Sequence, residues 1–211
     1  MARPVFWKSG TAPKAAPRIA HLDHDRPLVE AARRDPERFE ALYRRYLAPV
    51  YSYAYYELGD HHAAEDATER TFLAALANLG RFEDRARPED GEGASTFKVW
   101  LFRIARNVVA NERRTARRHP AVALPDTAIV ADPLDVEGDA VRREEAAAAW
   151  RAVGRLPGDR RRAVVLRFVD ELSTAEIAGV LGRSEGAVRV LIHRALRSVA
   201  HDLAPDRDRT R

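Results

Sequence analysis

The sequence predicts an all-α fold: two small helical domains joined by a flexible acidic linker, the second a helix-turn-helix domain. Three observations carry that expectation. Residues 95–118 form one long amphipathic stretch with no Gly or Pro inside it. From Pro120 to Ala140, Pro120, Pro125, Pro133 and Gly138 punctuate a segment whose only charges are acids. Residues 173–199 then hold a capped short helix, a glycine turn and a second capped helix. The chain divides accordingly into a flexible extension (1–26), a first domain (27–118), a linker (119–140), a second domain (141–203) and a frayed tail (204–211).

The extension is rich in Pro, Ala and basic residues and shows no sustained periodicity. Helices begin near Pro27, where Leu28, Val29 and Ala32 make a short apolar stripe. Asp35 and Pro36 supply a cap and an N1 proline for the next helix. Phe39, Leu42, Tyr43 and Tyr46 follow at helical spacing, and Pro49 predicts two helices or a kink. Val50, Tyr53, Ala54 and Leu58 carry the pattern to Gly59. The tyrosines between Tyr43 and Tyr56 follow this stripe, so they are read as core and rim rather than as a base-stacking platform.

Asp60 caps a helix that reaches about Asn78, with Ala64, Ala67, Thr71 or Phe72, Ala75 and Leu79 inside. Glu65, Asp66, Glu69 and Arg70 lie outside, and such an acidic face suits a basic protein partner. His62 and Asp66 stand four apart, as metal ligands on a helix do. Acids in a first turn equally answer the helix dipole, and no metal site is assigned. Residues 81–94, polar and rich in Gly and charge, are a loop.

In the long helix that follows, Phe97, Leu101, Ile104, Val108 and, at the edge, Ala105 share one side. Arg103, Arg106, Asn107, Arg113 and Arg114 share the other, with Trp100 and Asn111 on the boundary. Phe102 and Val109 fall off the main stripe and are expected against a neighbouring helix. Ser95 or Thr96 supplies its cap. Six arginines between Arg103 and Arg118 face a single acid, Glu112, whereas a solvated helix usually mixes signs. Arginine forks suit phosphate, Asn pairs two-pronged with adenine, and Trp100 offers a stacking surface for an unpaired base. A solvated basic face, with Trp100 in the core, fits the same spacing.

The linker's acids are Asp126, Asp132, Asp135, Glu137 and Asp139. Fully extended it reaches about 70 Å, enough to let one chain touch two DNA sites ~15 to 20 base pairs apart. In the second domain, Ala146, Ala149, Trp150 and Val153 share a helix face. Pro157 begins a helix with Val164, Val165, Phe168 and Leu172 inside. Ser173 and Glu176 form a capping box, and Ile177, Val180 and Leu181 point inward. Gly182 makes the turn and Ser184 caps the last helix, which buries Val188, Leu191, Ile192, Ala195 and Val199. Gly186, Arg189, Val190, His193 and Arg197 look outward. In a helix-turn-helix that second helix enters the major groove, with Arg189 on base or phosphate and Arg194 and Arg197 on phosphates.

Composition narrows the class. The 211 residues carry a net charge of +4 and no cysteine, so disulfides, thiolate zinc and cysteine nucleophiles are out, and a cytoplasmic setting is expected. The basic balance favours an anionic partner. No apolar run approaches the roughly 20 residues of a membrane span, and the N-terminus lacks a signal-peptide core, so no membrane contact is expected. With no phosphate loop, HExxH or nucleophile–base pattern, neither an enzyme nor a cofactor is expected.

Taken together, four pieces resemble the bacterial RNA polymerase sigma factors of the extracytoplasmic-function (ECF) type. AEDATERTF (64–72) is similar to their core-polymerase-binding helix, and FKVWLFRIARNVVANERR (97–114) to their −10 helix. LPGDRRRAVVLRF (156–168) and LSTAEIAGVLGRSEGAVRVLIHRAL (172–196) are similar to their −35-reading domain. The resemblance implies that Asp66, Glu69, Arg70 and Phe72 lie on or under the surface gripping the clamp helices of the polymerase largest subunit. It implies that Arg103, Arg106, Asn107 and Asn111 engage the −10 element and that the 81–94 loop holds a flipped base. It further implies an acidic linker in the RNA-exit path and an anti-sigma factor as partner. Glu69-Arg70 departs from the common Gln-Glu, Asn111 from a common Asp, and Leu191 from a frequent Arg. A stand-alone helix-turn-helix regulator is the second reading; the basic helix and acidic linker argue against it.

Overall fold

The computed structural model describes residues 25–83, 96–118 and 140–204; within them every regular element is helical. The expectations for the extension, the 84–95 part of the loop, Ser95, the 119–139 linker and residues 205–211 lie outside the described residues.

The first helix, α1 (Arg26–Arg34), carries Pro27 in its first turn and turns Val29 and Ala32 inward. A 3₁₀ turn, Pro36–Phe39, follows, its backbone held by the Asp35 carboxylate. Next come α2 (Glu40–Leu58) and α3 (His61–Asn78), joined at Gly59, whose φ of 75° closes the α2 C-terminus. The Asp60 carboxylate accepts from the Ala63 N–H at 2.8 Å, capping α3. Of the two outcomes expected at Pro49, two separate helices is not what forms: α2 runs through it as one element. An interior proline costs a helix about 3 kcal/mol. Tyr46, Val50 and Tyr53 are buried on either side of it, and apolar burial at ~1.5 to 3 kcal/mol per large side chain exceeds that cost.

The long basic stretch forms α4 (Thr96–Arg118). Phe97, Leu101, Ala105 and Val109 are buried, and so is Phe102, whose ring meets Tyr53 edge-on at 5.8 Å. Phe102, off the main stripe, thus packs against α2, as its position suggested. Together α1–α4 make the N-terminal lobe.

The C-terminal lobe holds α5 (Ala140–Gly154), α6 (Gly158–Phe168), α7 (Thr174–Leu181) and α8 (Glu185–Leu203). Ser173 and Glu176 form the capping box at α7: the Glu176 N–H donates to Ser173 Oγ at 3.2 Å, and the Ser173 N–H to Glu176 Oε2 at 2.8 Å. Gly182, at φ 66°, makes the left-handed turn, and Ser184 caps α8. Phe168 departs from its predicted inward place and is 53% exposed. It ends α6, where the backbone leaves the helix, and Leu172, fully buried, fills the core position instead.

The lobes are not separate. A single hydrophobic core runs from Leu42, Tyr53 and Phe102 to Leu166, Ile177 and Val180. A smaller cluster under α8 joins Val153, Leu156, Val164 and Ala195. No described helix is long and apolar enough to cross a membrane.

Candidate nucleic-acid interface

The cationic face of α4 meets α7. In its last turn a helix leaves carbonyls without intrahelical partners, and these carry the negative end of the dipole. Arg103 Nε donates to the Gly179 carbonyl at 2.7 Å and Arg106 Nη1 to the Val180 carbonyl at 2.8 Å. One turn earlier on α4, Lys98 Nζ lies 3.8 Å from Glu176 Oε2. The helices approach closely because residue 179 is Gly: a Cβ there would stand 2.7 Å from Val99 Cγ1.

A second junction gathers around Glu57, near the C-terminal end of α2, where an acid is disfavoured by the dipole. Its side chain is fully buried. Arg161 Nε and Nη2 donate to its two oxygens at 3.3 Å each. Arg162 Nε lies 3.4 Å away, and Arg113 Nη1 donates at 3.0 Å. Arg113 therefore points to an internal acid rather than outward with the predicted DNA face. Burial, then the nearby Glu57 charge, pushes the Tyr53 phenol up. Tyr56 and Trp150 add a ring contact across the lobes, centroids 4.6 Å apart.

The remaining α4 candidates are more open. Asn107, Asn111 and Arg114 are exposed, Arg114 bonding to Asn111. Trp100 is half-buried, its ring 5.2 Å from Phe82 and 5.6 Å from Phe97, so one edge belongs to the core.

On α3, Asp66, Glu69 and Arg70 are exposed, and Arg70 pairs with Glu112 of α4. Phe72 lies beneath them, buried against Phe39 and Tyr43. Leu73 and Leu76 stand out on the same helix, exposed by 58% and 39%. At its start, His61 stacks on Tyr55 at 4.4 Å and bonds to Tyr51. Among the described residues, no three His, Asp or Glu side chains gather as metal ligands.

On α8, Gly186, Arg189, Val190, His193, Arg194 and Arg197 are all exposed. Ser184 Oγ accepts from the Ala187 N–H, and among the described residues Arg189 makes a local pair with Glu185 at 2.8 Å. Among the described residues, nothing covers this face of the helix-turn-helix.

Sequence reasoning missed Glu57, Arg161 and Gly179. Two of them left a signal. Glu57 sits seven after Val50 and four after Tyr53, an acid on a buried stripe. Gly179 interrupts a short, otherwise apolar helix, a mark of close approach.

An arginine- and asparagine-bearing helix, a mixed-charge helix and a helix-turn-helix thus stand together in one chain. The chain belongs to the ECF sigma factors of RNA polymerase. Residues 42–119 match the family model of Sigma-70 region 2, and residues 146–199 match that of Sigma-70 region 4. It is 39% identical to the ECF RNA polymerase sigma factor BldN of Streptomyces coelicolor, over 85% of this chain and 65% of BldN. It is 31% identical to SigL of Mycobacterium tuberculosis, over 80% of this chain and 90% of SigL. Among solved structures, CnrH in complex with the cytosolic domain of CnrY is similar at TM-score 0.58 and 25% identity, over 85% of this chain and 96% of CnrH. The sigma factor RpoE in complex with the anti-sigma factor NepR from Bartonella quintana shares the fold at TM-score 0.60 and 22% identity, over 80% of this chain and 98% of RpoE.

Proposed function

We propose that this chain is a promoter-specificity subunit of RNA polymerase, acting in the cytoplasm and catalysing no reaction of its own. The observation that carries the reading is the pairing, in one chain, of the arginine- and asparagine-bearing α4 with the open helix-turn-helix face of α8. α3 docks the clamp helices of the largest subunit through Asp66, Glu69 and Arg70, over the buried Phe72. Exposed Leu73 and Leu76 extend that face with apolar area.

On the holoenzyme, Trp100, Arg103, Arg106, Asn107, Asn111 and Arg114 engage the −10 element. Arg113 does so only if it leaves Glu57. Arg189, Val190, His193, Arg194 and Arg197 read the −35 element, with Gly186 leaving room and Ser184 ordering the start of α8. Duplex opening is strand capture. Unstacking costs a few kcal/mol per base, and contacts to an extruded base offset it. The acids of 119–140 follow the RNA-exit path, the 81–94 loop receives the captured base, and an anti-sigma factor holds the chain inactive.

The test is run-off transcription by bacterial core polymerase on a promoter library, with and without this chain. Initiation that requires the chain and selects one two-part motif is the expected result. DNA binding without any stimulation of polymerase would instead make it a stand-alone regulator.

A further inference from the structure

We propose that Arg33, in the last turn of α1, is a positioning residue for capture of the −10 strand: it fixes the ring of Phe82 and, through it, the indole of Trp100. This rests on the −10 reading of α4. A basic side chain in the last turn of a helix ordinarily answers that helix's own carbonyls. The Arg33 guanidinium instead crosses to the turn that follows α3. Its Nε donates to the Leu79 carbonyl at 3.1 Å and its Nη2 to the Phe82 carbonyl. Those carbonyls bracket the 3₁₀ turn Leu79–Arg81, across which the Phe82 N–H donates to the Leu79 carbonyl at 3.2 Å. The flat of the same guanidinium lies 5.6 Å from the centre of the Phe82 ring, within the roughly 6 Å of a cation–π contact. One side chain thus holds both the backbone and the ring of Phe82.

Phe82 is buried and passes that order on. Its ring meets Phe97 edge-on at 5.7 Å and Trp100 at 5.2 Å, and Phe97 and Trp100 lie 5.6 Å apart, so the three rings close a triangle. Phe97 is in the core, whereas Trp100 is half-buried at the edge of the arginine- and asparagine-bearing face of α4. Stacking on an unpaired base demands a fixed ring plane, because an indole that must be ordered on binding gives back affinity as lost rotamer freedom. Lysine cannot replace Arg33 in this role: an ammonium has no fork for two carbonyls and no flat face for the ring.

The test uses the full chain and two readouts. The sequence has three tryptophans, so Trp7→Phe with Trp150→Phe leaves Trp100 as the single indole, and acrylamide quenching reports its order without DNA. Holoenzyme made with bacterial core polymerase then binds a single non-template strand bearing the −10 motif from the transcription selection, read by fluorescence anisotropy. A titration of core polymerase is the control. Arg33→Met keeps the apolar stem, and Arg33→Lys keeps the charge.

Both variants should raise the quenching constant of Trp100 about twofold and weaken strand binding about tenfold, with core assembly unchanged. In a Trp100→Ala background the Arg33→Met loss should vanish, since the side chain it positions is gone. Unchanged quenching overturns the clamp. An equal loss with or without Trp100 makes Arg33 a general structural residue and overturns its positioning role, as does native strand binding by Arg33→Lys. Should Arg33→Met not fold, Arg33→Lys decides by the same readouts. Silent transcription by the native chain defeats the sigma reading and the capture role with it; quenching, taken without DNA or polymerase, tells that failure apart from failure of the clamp.

Discussion

Replacing Glu57 with Ala tests the lobe junction most severely. The carboxylate is fully buried and meets three guanidinium groups, whose side chains are exposed by 9% (Arg161), 21% (Arg162) and 30% (Arg113). The last two recover water easily, and each contributes ~1 kcal/mol or less, as partly exposed pairs do. Arg161 is different. It makes two bonds to Glu57 inside the protein, and removing one partner of a buried pair costs about 3 to 5 kcal/mol because the other charge is stranded.

Arg161 has one escape, which is to carry α6 away from α2 into water. The loss then appears as opening rather than unfolding, and 3 kcal/mol is a change of about a hundredfold in the open-to-closed ratio. The assay is a double-mutant cycle of Glu57→Ala and Arg161→Ala, read by denaturant unfolding and by amide exchange in α2 and α6. Faster exchange confined to the junction, with a coupling of ~1 to 3 kcal/mol, is expected. Additive single effects, each under ~1 kcal/mol, would refute the junction's role.

Burial holds the Asp170 carboxyl well above the usual carboxylate range, against the pull of Lys98. Among the described residues neither oxygen has a hydrogen-bond partner, and Tyr53 and Tyr56 also feel the charge. The folded chain keeps a proton that the unfolded chain releases near pH 4, so this group's stabilisation is present at low pH and lost as pH rises toward the folded value. Asp170→Asn should remove that slope. Thermal melts of both chains from pH 4 to 8 check it, and parallel curves would sink the assignment. Ser173→Ala should lower stability by ~0.5 to 2 kcal/mol, because the capping box fixes the start of α7; denaturant titration measures it. Arg106→Ala with Asn107→Ala should reduce open-complex formation and leave polymerase binding intact, as footprinting and co-purification would show. Arg189→Ala should weaken −35 duplex binding and relax its sequence preference at one position, by ~1 to 3 kcal/mol for a base contact.

How much was legible follows the range of the interaction. The capping box at Ser173, the left-handed Gly182 and the Ser184 cap depend on neighbours within a few residues, and all three stand where the sequence puts them. Periodicity likewise placed Phe97, Leu101 and Ala105 inside. Pro49 does not split α2, because its local cost is real but tertiary burial outweighs it. Phe168 misled because a helical stripe says nothing about where the helix stops. Arg113, read from its helix face alone, was assigned to DNA. Its acid lies on a helix 56 residues earlier, and no periodicity within one segment can show such a pair. The same holds for Arg103 and Arg106, whose neutral partners are backbone carbonyls 76 and 74 residues away.

Those carbonyl acceptors have a thermodynamic consequence. A guanidinium held by an uncharged peptide oxygen displaces no condensed counterions, whereas the same group on a phosphate releases them, weakening DNA affinity steeply as salt rises. The buried Glu57 cluster is screened far less than an exposed pair. Ionic strength therefore bears differently on the two kinds of contact: the bonds of Arg103 and Arg106 to the α7 carbonyls should persist in concentrated salt, whereas the −10 contacts proposed for the same side chains should weaken.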